Sequence, residues 1–474
     1  MTSGRVPTTM AMRADVLIKK YPCPYNLDRG RHAGSATPRS ISDDNRTNNF
    51  TAYCRRTASG SAAIYEHDYH PRAVRILIFS DYYWPEPSPP AHHIHERARL
   101  WVQGGHEVTV VASAPNYPEG RLYDGFRNRW REKSMHDGVS IVRVGTWICG
   151  HDRAALKLID QMSFGISAGQ LRPDQRPDVV FSSSPHLFTS TAARRVSRRC
   201  RCPHVMEVRD LWPDSVLRAG SIPWRILKRV ERGLYRSAQS VIVMSPAFQA
   251  SVERDGASDV HIVPGGTDLD LFKPIPPDAP LIRDLNLENM FVVGYPGTLG
   301  TAHDADVIVR AVPHLRGTRV RLLFIGGGPH LNRLRERIPH EDRDLIRFLG
   351  TQPRSEMPRV WSVLNASMVL LRDTPDFARV IPSKIFESMA CGKPVLWSGP
   401  QGTGSELIER QGAGIWCGCG NADQLAATML GLSTDQDEMT RLGAAGVAAA
   451  PEYSREQQAE STLAVLMAAA EMSS

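Results

Sequence analysis

Short apolar runs alternate with longer amphipathic stretches from Val74 onwards. The apolar runs predict buried strands, and the stretches between them, with apolar residues three and four positions apart, predict helices. In the first half of the chain the predicted strands are Val74–Ser80, Glu107–Ser113, Val139–Val144, Asp178–Ser184, His204–Arg209, Val241–Ser245 and His261–Pro264. The predicted helices are His92–Gln103, Ala154–Gly169, Leu187–Arg199 and Arg225–Ala238. This order is typical of parallel sheets with right-handed crossovers.

A segment rich in proline and glycine, Pro264–Met290, interrupts the alternation and indicates a linker, which we place at 271–290. A second series follows, with predicted strands at Phe291–Tyr295, Val320–Ile325, Ile346–Leu349, Met368–Leu371 and Pro394–Trp397, and a final helix at Ser454–Met472. We therefore predict an α/β fold with two doubly wound, Rossmann-like lobes, 71–270 and 291–453, that face a central cleft. Ligands of open α/β sheets bind at the carboxyl ends of the strands, so this cleft is the predicted active site.

Residues 1–70 differ from the rest of the chain, because they are polar, rich in arginine, serine, threonine and asparagine, and lack apolar periodicity. This composition predicts a disordered extension. No apolar run reaches the length of about 18 residues that indicates a transmembrane helix. The N-terminus also lacks the apolar core of a secretory signal, so we expect a cytoplasmic protein.

Charge and cysteine content narrow the choice of partner. The net charge is +7 and the pI is about 9.0, which favours an anionic partner such as a nucleotide diphosphate, a lipid phosphate or nucleic acid. The 8 cysteines are scattered and lack the spacing of zinc ligands. We therefore expect reduced thiols and no metal bound by these cysteines.

The most informative segment is Pro382–Pro394. Lys384 stands at a predicted helix start, directly after Ser383, where the helix dipole disfavours a cation unless an anion is bound there. A diphosphate at this helix end would contact backbone amides and the Lys384 ammonium. Glu387, one turn later, could accept hydrogen bonds from ribose hydroxyls. An ordinary surface lysine and glutamate pair is the alternative interpretation.

Two glycine-rich segments, Gly294–Gly300 and Ile325–Pro329, end strands of the second lobe. Small residues there would let backbone amides approach a phosphate, and a tight strand-to-helix turn is the alternative for each. Neither has the Gly-x-Gly-x-x-Gly pattern with an acidic residue ~20 positions later. This absence argues against a nicotinamide-dependent oxidoreductase.

Polar residues also end two predicted strands of the first lobe. Asp210, next to Arg209, follows one strand and His186 follows another, so both would face the cleft. Either could orient an acceptor or accept its proton. Turn or helix-cap roles are the alternative for both. The sequence Asp268-Leu269-Asp270 lies near the linker and predicts a turn rather than a metal site.

Basic clusters lie on or beside predicted helices of the first lobe, at Arg194–Arg201 and at Lys228-Arg229. A solvated helix face is one interpretation of these clusters. The other is attraction to anionic lipid headgroups, with nearby Trp224 and Trp130 at the membrane interface.

Five strings of residues, in order over most of the chain, resemble one family: Ile78–Glu86, Gly105–Val110, Pro115–Pro118, Arg209–Ser215 and Pro382–Pro394. From Val74 to about Val465 the chain resembles a retaining glycosyltransferase of family 4, which has the GT-B fold. Within that family it looks most like the WbuB-type, fucosamine-transferase-like branch. The resemblance implies that the second lobe binds a nucleotide-sugar donor and the first lobe an acceptor. It also implies that a terminal helix, 454–474, crosses back onto the first lobe.

The same resemblance implies roles for individual residues. Lys384 would bind the diphosphate and Glu387 the ribose, while the turn at Gly350-Thr351 would lie near the base. The full set of predicted donor-binding residues is Gly297, Thr298, Gly300, Thr351, Ser383, Lys384 and Glu387, and the predicted catalytic residues are Asp210, His186 and Lys384. The chain departs from the family pattern at Arg379, where an earlier glutamate is usual, and at Ser88-Pro89-Pro90, where glycines are usual.

Together with these observations, the resemblance implies a hexosyltransferase that moves a sugar from a nucleotide-diphosphate sugar, UDP being the favoured nucleotide, to a hydroxyl of a sugar or lipid-linked sugar. The anomeric configuration would be retained, and neither a metal nor another cofactor would be needed. We expect a role in bacterial cell-surface polysaccharide synthesis (O-antigen, capsule or exopolysaccharide), with peripheral attachment to the anionic inner face of the plasma membrane and no nucleic acid partner. The alternatives are a sugar-nucleotide epimerase of the same fold and a non-catalytic basic binding protein.

Overall fold

The computed structural model describes residues 53–56, 62–65, 73–149, 154–183, 186–214, 217 and 219–472. Two short strands, β1 (Tyr53–Arg56) and β2 (Ala62–Tyr65), pair in antiparallel fashion and form a compact unit of their own. The remainder of the predicted disordered extension, 1–70, lies outside the described residues.

The first lobe is built on an eight-stranded sheet with the order β10-β9-β8-β7-β3-β4-β6-β5. All neighbouring strands are parallel except β5, which runs antiparallel to β6. The strands are β3 (Arg75–Phe79), β4 (Glu107–Ser113), β5 (Arg131–His136), β6 (Val139–Val144), β7 (Val179–Ser183), β8 (His204–Val208), β9 (Ser240–Val243) and β10 (Val260–Ile262). The helices are α1 (Pro89–Gln103), α2 (Ala154–Ala168), α3 (Leu187–Cys200), α4 (Ile222–Tyr235) and α5 (Pro246–Arg254).

The second lobe has a six-stranded, all-parallel sheet with the order β13-β12-β11-β14-β15-β16. Its strands are β11 (Phe291–Pro296), β12 (Val320–Ile325), β13 (Ile346–Phe348), β14 (Ala366–Leu370), β15 (Val395–Ser398) and β16 (Gly414–Trp416). Its helices are α6 (Ala279–Asp284), α7 (Asp306–Ala311), α8 (Pro329–Arg337), α9 (Met357–Ser362), α10 (Lys384–Ala390), α11 (Thr403–Arg410), α12 (Ala422–Thr434) and α13 (Gln436–Ala449). A last helix, α14 (Arg455–Glu471), ends the described chain. The predicted architecture of two doubly wound α/β lobes is confirmed.

The sequence pattern misses β5 and β16. Most side chains of β5 are exposed because it is the edge strand, so it carries no apolar run that would reveal it. The strand β16 has only three residues and is the edge strand of the second sheet, next to β15. Each of these strands forms by pairing with one neighbouring strand, and neither has an apolar pattern that the sequence would show.

The chain passes between the lobes twice, and the two passages are hydrogen-bonded to each other. The Thr267 N–H donates to the Tyr453 carbonyl (2.8 Å), and the Arg455 N–H donates to the Thr267 carbonyl (2.9 Å). A Cβ on Gly266 would lie 2.7 Å from the carbonyl oxygens of Tyr453 and Ser454, so only glycine fits there. The predicted linker, 271–290, includes α6 and packs against the second lobe.

After this crossing α14 packs on the first lobe. Its apolar residues, among them Ala459 and Leu466, belong to the same buried cluster as the strands β3 and β4 and Trp101 of α1. The Trp101 indole N–H also donates to the Ala459 carbonyl (3.0 Å). No helix among the described residues combines the length and apolar character needed to cross a bilayer.

A fully buried ion pair joins the parts of the first lobe. The Arg97 guanidinium of α1 donates to both carboxylate oxygens of Glu207 on β8 (2.7 and 2.9 Å), and it reaches the Thr462 hydroxyl of α14 (3.3 Å). Burial alone would raise the pKa of Glu207, but the charge and hydrogen bonds of Arg97 outweigh it and lower that pKa to about 2. Glu207 is therefore ionised at neutral pH although it is fully buried beside the Arg97 guanidinium.

Replacement of Arg97 by methionine should leave Glu207 as an uncompensated buried charge. We expect the free energy of unfolding to fall by ~3–5 kcal/mol, because breaking one partner of a buried pair costs far more than an exposed pair contributes. Urea denaturation followed by circular dichroism measures this change.

The matched control is Arg441→Met, which removes an arginine from an exposed pair with Glu438 three residues earlier on α13. This variant should leave the urea midpoint almost unchanged, since exposed pairs contribute little. Equal effects of the two substitutions would contradict a central role for the Arg97–Glu207 pair.

Candidate active site

Two glycine turns at the ends of β11 and β12 lie against each other at one edge of the second sheet. Gly297 and Gly326 have φ angles of 118° and 126°, which side chains rarely adopt. A Cβ on Gly326 would stand 2.5 Å from the Gly297 carbonyl oxygen, and one on Gly328 would stand 2.5 Å from the Leu299 carbonyl oxygen. Glycine is therefore required for the two loops to touch.

The amides of the first turn are largely engaged inside the protein. The Gly297 and Leu299 N–H groups donate to carbonyls of the neighbouring turn (2.8 Å each), and the Gly300 N–H donates to Nδ1 of His303 (3.0 Å). Tyr295 donates its hydroxyl to the Thr298 carbonyl (3.2 Å). The predicted turn therefore packs closely beside the cleft, and the N–H groups of Gly297, Leu299 and Gly300 already donate to other protein atoms.

Lys384, the first residue of α10, lies against this turn. Its ammonium is 3.7 Å from the centre of the Tyr295 ring, and a Cβ on Gly297 would be 3.5 Å from Nζ. Burial lowers the pKa of Lys384 to about 7, while Glu387 acts in the opposite direction. Lys384 and the Gly297 turn, both predicted to bind the donor, therefore lie next to each other.

Glu387, one turn further along α10, faces a group of cations. Burial raises the pKa of its carboxyl, and the charges of Arg354, Arg455 and Lys384 oppose that rise. Arg354 donates to Glu96 of the first lobe (3.0 Å), and Arg455 lies 3.1 Å from the other oxygen of Glu96. Glu387 therefore stands where the two lobes meet.

The other predicted donor-binding residues are distributed around this point. Thr351 follows β13, and its hydroxyl would be 3.5 Å from a Cβ on Gly327, so it borders the second glycine turn. Ser383 precedes α10, is exposed, and makes no side-chain cap to the helix. Gly300 lies beside His303, whose pKa is lowered to about 4 by burial and by the charge of Lys384.

His186, one predicted catalytic residue, is almost completely buried in the first lobe. Its Nε2 lies 3.1 Å from a carboxylate oxygen of Asp81, and its Nδ1 lies 3.4 Å from the Thr189 hydroxyl. The Asp81 contact ties the loop after β3 to the start of α3. In this conformation both ring nitrogens already have protein neighbours, so an acceptor could reach His186 only after a local rearrangement.

Asp210, the other predicted catalytic residue of the first lobe, is exposed at the end of β8. Desolvation by the surrounding chain raises the pKa of its carboxyl, and the adjacent Arg209 guanidinium opposes that rise. Asp210 is thus open to a ligand in a way that His186 is not. The predicted roles of both residues stay predictions.

Sequence reasoning missed Glu96, Arg354 and Arg455, which join the two lobes. Burial lowers the pKa of Arg455 to about 9, and nearby Arg209 and Arg354 add to that effect. None of these residues belongs to a motif, and they are far apart in the sequence. Only the position of Arg455 at the start of the predicted crossing helix offered a signal.

Two other expectations concern the charged residues Asp268 and Lys228. Asp268 accepts hydrogen bonds from the N–H groups of Asp270 and Leu271 (3.0 Å each), as a turn residue does. Lys228 differs from the expected surface cation, because it is buried among Asp214, Glu231 and Asp255 at 2.6–2.8 Å. The long side chain of Lys228 reaches these three carboxylates, and the spacing of the residues in the sequence does not indicate this contact.

The arrangement at the cleft suits a ligand with one anionic and one hydroxyl-rich part. A cation beside a close-packed glycine turn can hold a phosphate group, and a carboxylate at hydrogen-bond reach can hold vicinal hydroxyls. Because the site lies between two lobes, a ligand there can contact both.

The two lobes match two family models. Residues 90–266 match the model described as "Glycosyl transferase 4-like domain", and residues 290–435 match the model described as "Glycosyl transferases group 1". These matches cover most of both lobes, including the segments that carry Asp210, Lys384 and Glu387.

Curated relatives are distant. The putative colanic acid biosynthesis glycosyl transferase WcaI of Escherichia coli (strain K12) is 21% identical over 335 residues, which are 67% of this chain and 82% of that protein. The probable glycosyltransferase WbjE of Pseudomonas aeruginosa is 26% identical over 223 residues, 45% of this chain and 55% of that protein.

Solved structures agree on the fold. Sucrose-phosphate synthase from Thermosynechococcus elongatus superposes with a TM-score of 0.66 at 16% identity, covering 82% of this chain and 97% of that one. Anabaena HepE in complex with UDP-glucose superposes with a TM-score of 0.60 at 17% identity, covering 83% and 100%. The chain is therefore a glycosyltransferase of the GT-B type, with a glycosyl transferase 4-like domain in its first lobe and a group 1 domain in its second.

Proposed function

We propose that this glycosyltransferase takes its sugar from a nucleotide-diphosphate donor, with UDP as the favoured nucleotide, and passes it to an acceptor hydroxyl with retained anomeric configuration. The observation that carries the proposal is the position of Lys384, whose ammonium lies against Gly297 while Glu387 faces the interlobe arginines. A cation and a carboxylate one turn apart on the same helix support a site that takes a diphosphate and a ribose.

In the proposed reaction negative charge builds on the diphosphate as the glycosidic bond to the donor breaks. Lys384 stabilises that charge, because a fixed ammonium in a partly dehydrated cleft interacts more strongly than one in water. Glu387 holds the ribose hydroxyls, and Thr351 borders the base. Neutralisation by protein cations makes a catalytic metal unnecessary in this scheme.

The acceptor is proposed to bind on the first lobe. Asp210, exposed at the end of β8, orients the acceptor hydroxyl, and a donor phosphate oxygen takes its proton as the new bond forms. His186 contacts Asp81 and thereby holds the loop after β3 against the start of α3, on the lobe that binds the acceptor. Closure of the lobes would exclude water and limit hydrolysis of the donor.

The biological setting is proposed from the relatives and from the sequence resemblance. The name of the Escherichia coli relative refers to colanic acid biosynthesis. We assign this chain to cell-surface polysaccharide synthesis as a hexosyltransferase of the WbuB type in family 4, with a sugar or lipid-linked sugar as acceptor. Transfer assays separate this activity from that of an epimerase of the same fold, which would change the donor sugar without any acceptor.

UDP-sugars should raise the melting temperature of the protein, and Lys384→Met should abolish most of that rise and of the transfer rate. The reason is the loss of the cation that faces the diphosphate. A thermal-shift screen against UDP-, GDP- and dTDP-sugars measures binding, and nuclear magnetic resonance of the product measures transfer and anomeric configuration. A ligand at about 100 times its Kd contributes ~2.7 kcal/mol of stability.

Lys273→Met is the control, because Lys273 is an exposed lysine that follows the interlobe crossing and is not one of the site residues described above. It should keep the full shift and rate. If Lys384→Met is folded and binds the donor as tightly as the wild type, Lys384 is not part of the donor site.

Donor binding should weaken as the pH rises above about 7. Free Lys384 loses its proton near that pH, whereas a bound diphosphate favours the ammonium form, so binding takes up a proton. The Kd of the best UDP-sugar should rise by up to about tenfold per pH unit between pH 7 and 9, where the diphosphate of a UDP-sugar stays fully ionised. Isothermal titration calorimetry measures the Kd, and Lys384→Met should flatten the profile. An unchanged pH dependence in that variant would assign it to another group.

A lipid-linked acceptor would require contact with a membrane, and the first lobe offers a surface for it. Helix α3 packs between α2 and α4. The outer faces of α2 and α4 expose seven large apolar residues, with basic Arg225 and Arg229 among those of α4: Leu158, Ile159, Met162, Ile166, Ile222, Ile226 and Val230. Apolar residues flanked by arginines suit the interface of an anionic leaflet.

Ile222→Ser combined with Ile226→Ser should weaken binding to phosphatidylglycerol-containing vesicles by about tenfold or more, because each isoleucine contributes up to ~1.5–3 kcal/mol when fully buried. Vesicle co-sedimentation measures the binding, and both residues are exposed, so the fold should persist. Ile275→Ser, an exposed isoleucine outside α2 and α4, is the control. If the double variant binds vesicles as tightly as the control and the wild type do, α4 is not part of a membrane-binding surface.

A further inference from the structure

Three metal-type donors converge on the first lobe, on residues that play no part in the proposed donor site. They are His95 on α1, and His136 and Asp137 at the turn between β5 and β6. One ligand atom from each lies within 4.8 Å of the other two. The Nε2 atoms of His95 and His136 are 3.1 and 3.6 Å from the same carboxylate oxygen of Asp137.

The backbone fixes these donors on rigid elements. His136 pairs with Val139 across a two-residue turn in which Asp137 and Gly138 have φ angles of 49° and 76°. Two residues with positive φ between antiparallel strands form the type I′ turn, which matches the twist of a hairpin. His95 projects from the middle of a 15-residue helix towards this turn.

Neighbouring side chains hold the two imidazoles in place. The Tyr83 hydroxyl lies 3.1 Å from Nδ1 of His95, and the Trp84 indole stacks on the His136 ring with 3.6 Å between the ring centres. A metal-bound histidine usually donates its other ring N–H to an oxygen, which orients the ring. Tyr83 is suitably placed to accept that bond from His95.

The separations fit a small ion. A tetrahedral metal with bonds of about 2.0–2.1 Å to its ligands holds those ligand atoms about 3.3 Å apart. The two measured separations lie on either side of this value. Two imidazoles and one carboxylate form a ligand set that suits zinc and other divalent first-row transition ions.

We propose that His95, His136 and Asp137 form a binding site for a divalent transition metal, with Zn²⁺ as the preferred ion and water in the remaining position. Asp137 is exposed, so solvent reaches the site and can supply the fourth ligand. The bound ion joins the hairpin at the edge of the sheet to α1. The proposal is independent of the donor site and of the reaction proposed above.

The experiment uses the full-length protein without an affinity tag, freed of metal by a chelator and treated with iodoacetamide. Thiol blocking is needed because partly exposed cysteines such as Cys149 and Cys419 would otherwise compete for zinc. Titration calorimetry with zinc chloride should show one saturable site per chain, and zinc should raise the melting temperature. Cobalt should give the visible absorption bands of a four-coordinate ion.

Asp137→Asn is the sharpest variant, because asparagine accepts the positive φ angle and preserves the turn while it removes the carboxylate. It should weaken zinc binding by more than about tenfold, as should His136→Asn. His314→Ala is the matched control, since it removes a histidine that faces the carboxylate of Asp423 at 3.1 Å and belongs to no three-donor group among the residues that the structure describes.

The control should bind zinc as the wild type does. The proposal is overturned if the thiol-blocked wild type shows no saturable zinc binding, which would leave the cluster as hydrogen-bonded histidines only. It is equally overturned if Asp137→Asn and His136→Asn both retain the wild-type affinity. Far-ultraviolet circular dichroism confirms that each variant is folded, so loss of binding is not loss of structure.

Discussion

The buried pair of Arg97 and Glu207 is the interaction on which the first lobe depends. The two side chains are buried between α1, β8 and α14, where their mutual contact compensates for lost water together with hydrogen bonds from Ser183 and to Thr462 and the His93 carbonyl. Apolar residues would fill the same space, but they would not dictate the register of three elements. Because β8 leads directly into Asp210, this constraint also positions one wall of the cleft.

A second group of charges surrounds Glu96 and connects the two lobes across the cleft. Arg354 from the second lobe and Arg455 from the crossing helix both reach this carboxylate. Their charges also act on Glu387 of the second lobe, where they oppose the rise of its pKa on burial. An anionic ligand that bound beside this cluster would change these interactions, so its charge would act directly on the contacts between the lobes.

The sequence predicted the lobes well because parallel strands buried on both faces are continuous apolar runs. Glu107–Ser113, Val139–Val144 and Val320–Ile325 match the structure residue for residue, and the polar edge strand β5 is the main omission. The sequence was enough to predict that Lys384 and the Gly297 turn lie near each other, because both follow strands of one sheet. The interlobe arginines and the cluster of His95, His136 and Asp137 could not be found in this way. Their members come together only through helix packing and a hairpin that the pattern did not reveal.

The return of α14 to the first lobe has a consequence for the order of synthesis. The cluster beneath Trp101 is completed by Ala459, Val465 and Leu466, which are synthesised after the whole second lobe. The first lobe therefore lacks one layer of its core while the second lobe is being made, and its apolar surface stays uncovered during that time. N-terminal domains usually fold while later segments are still being translated. Here the first lobe can be completed only after α14 has been made, which couples its folding to synthesis of the second lobe.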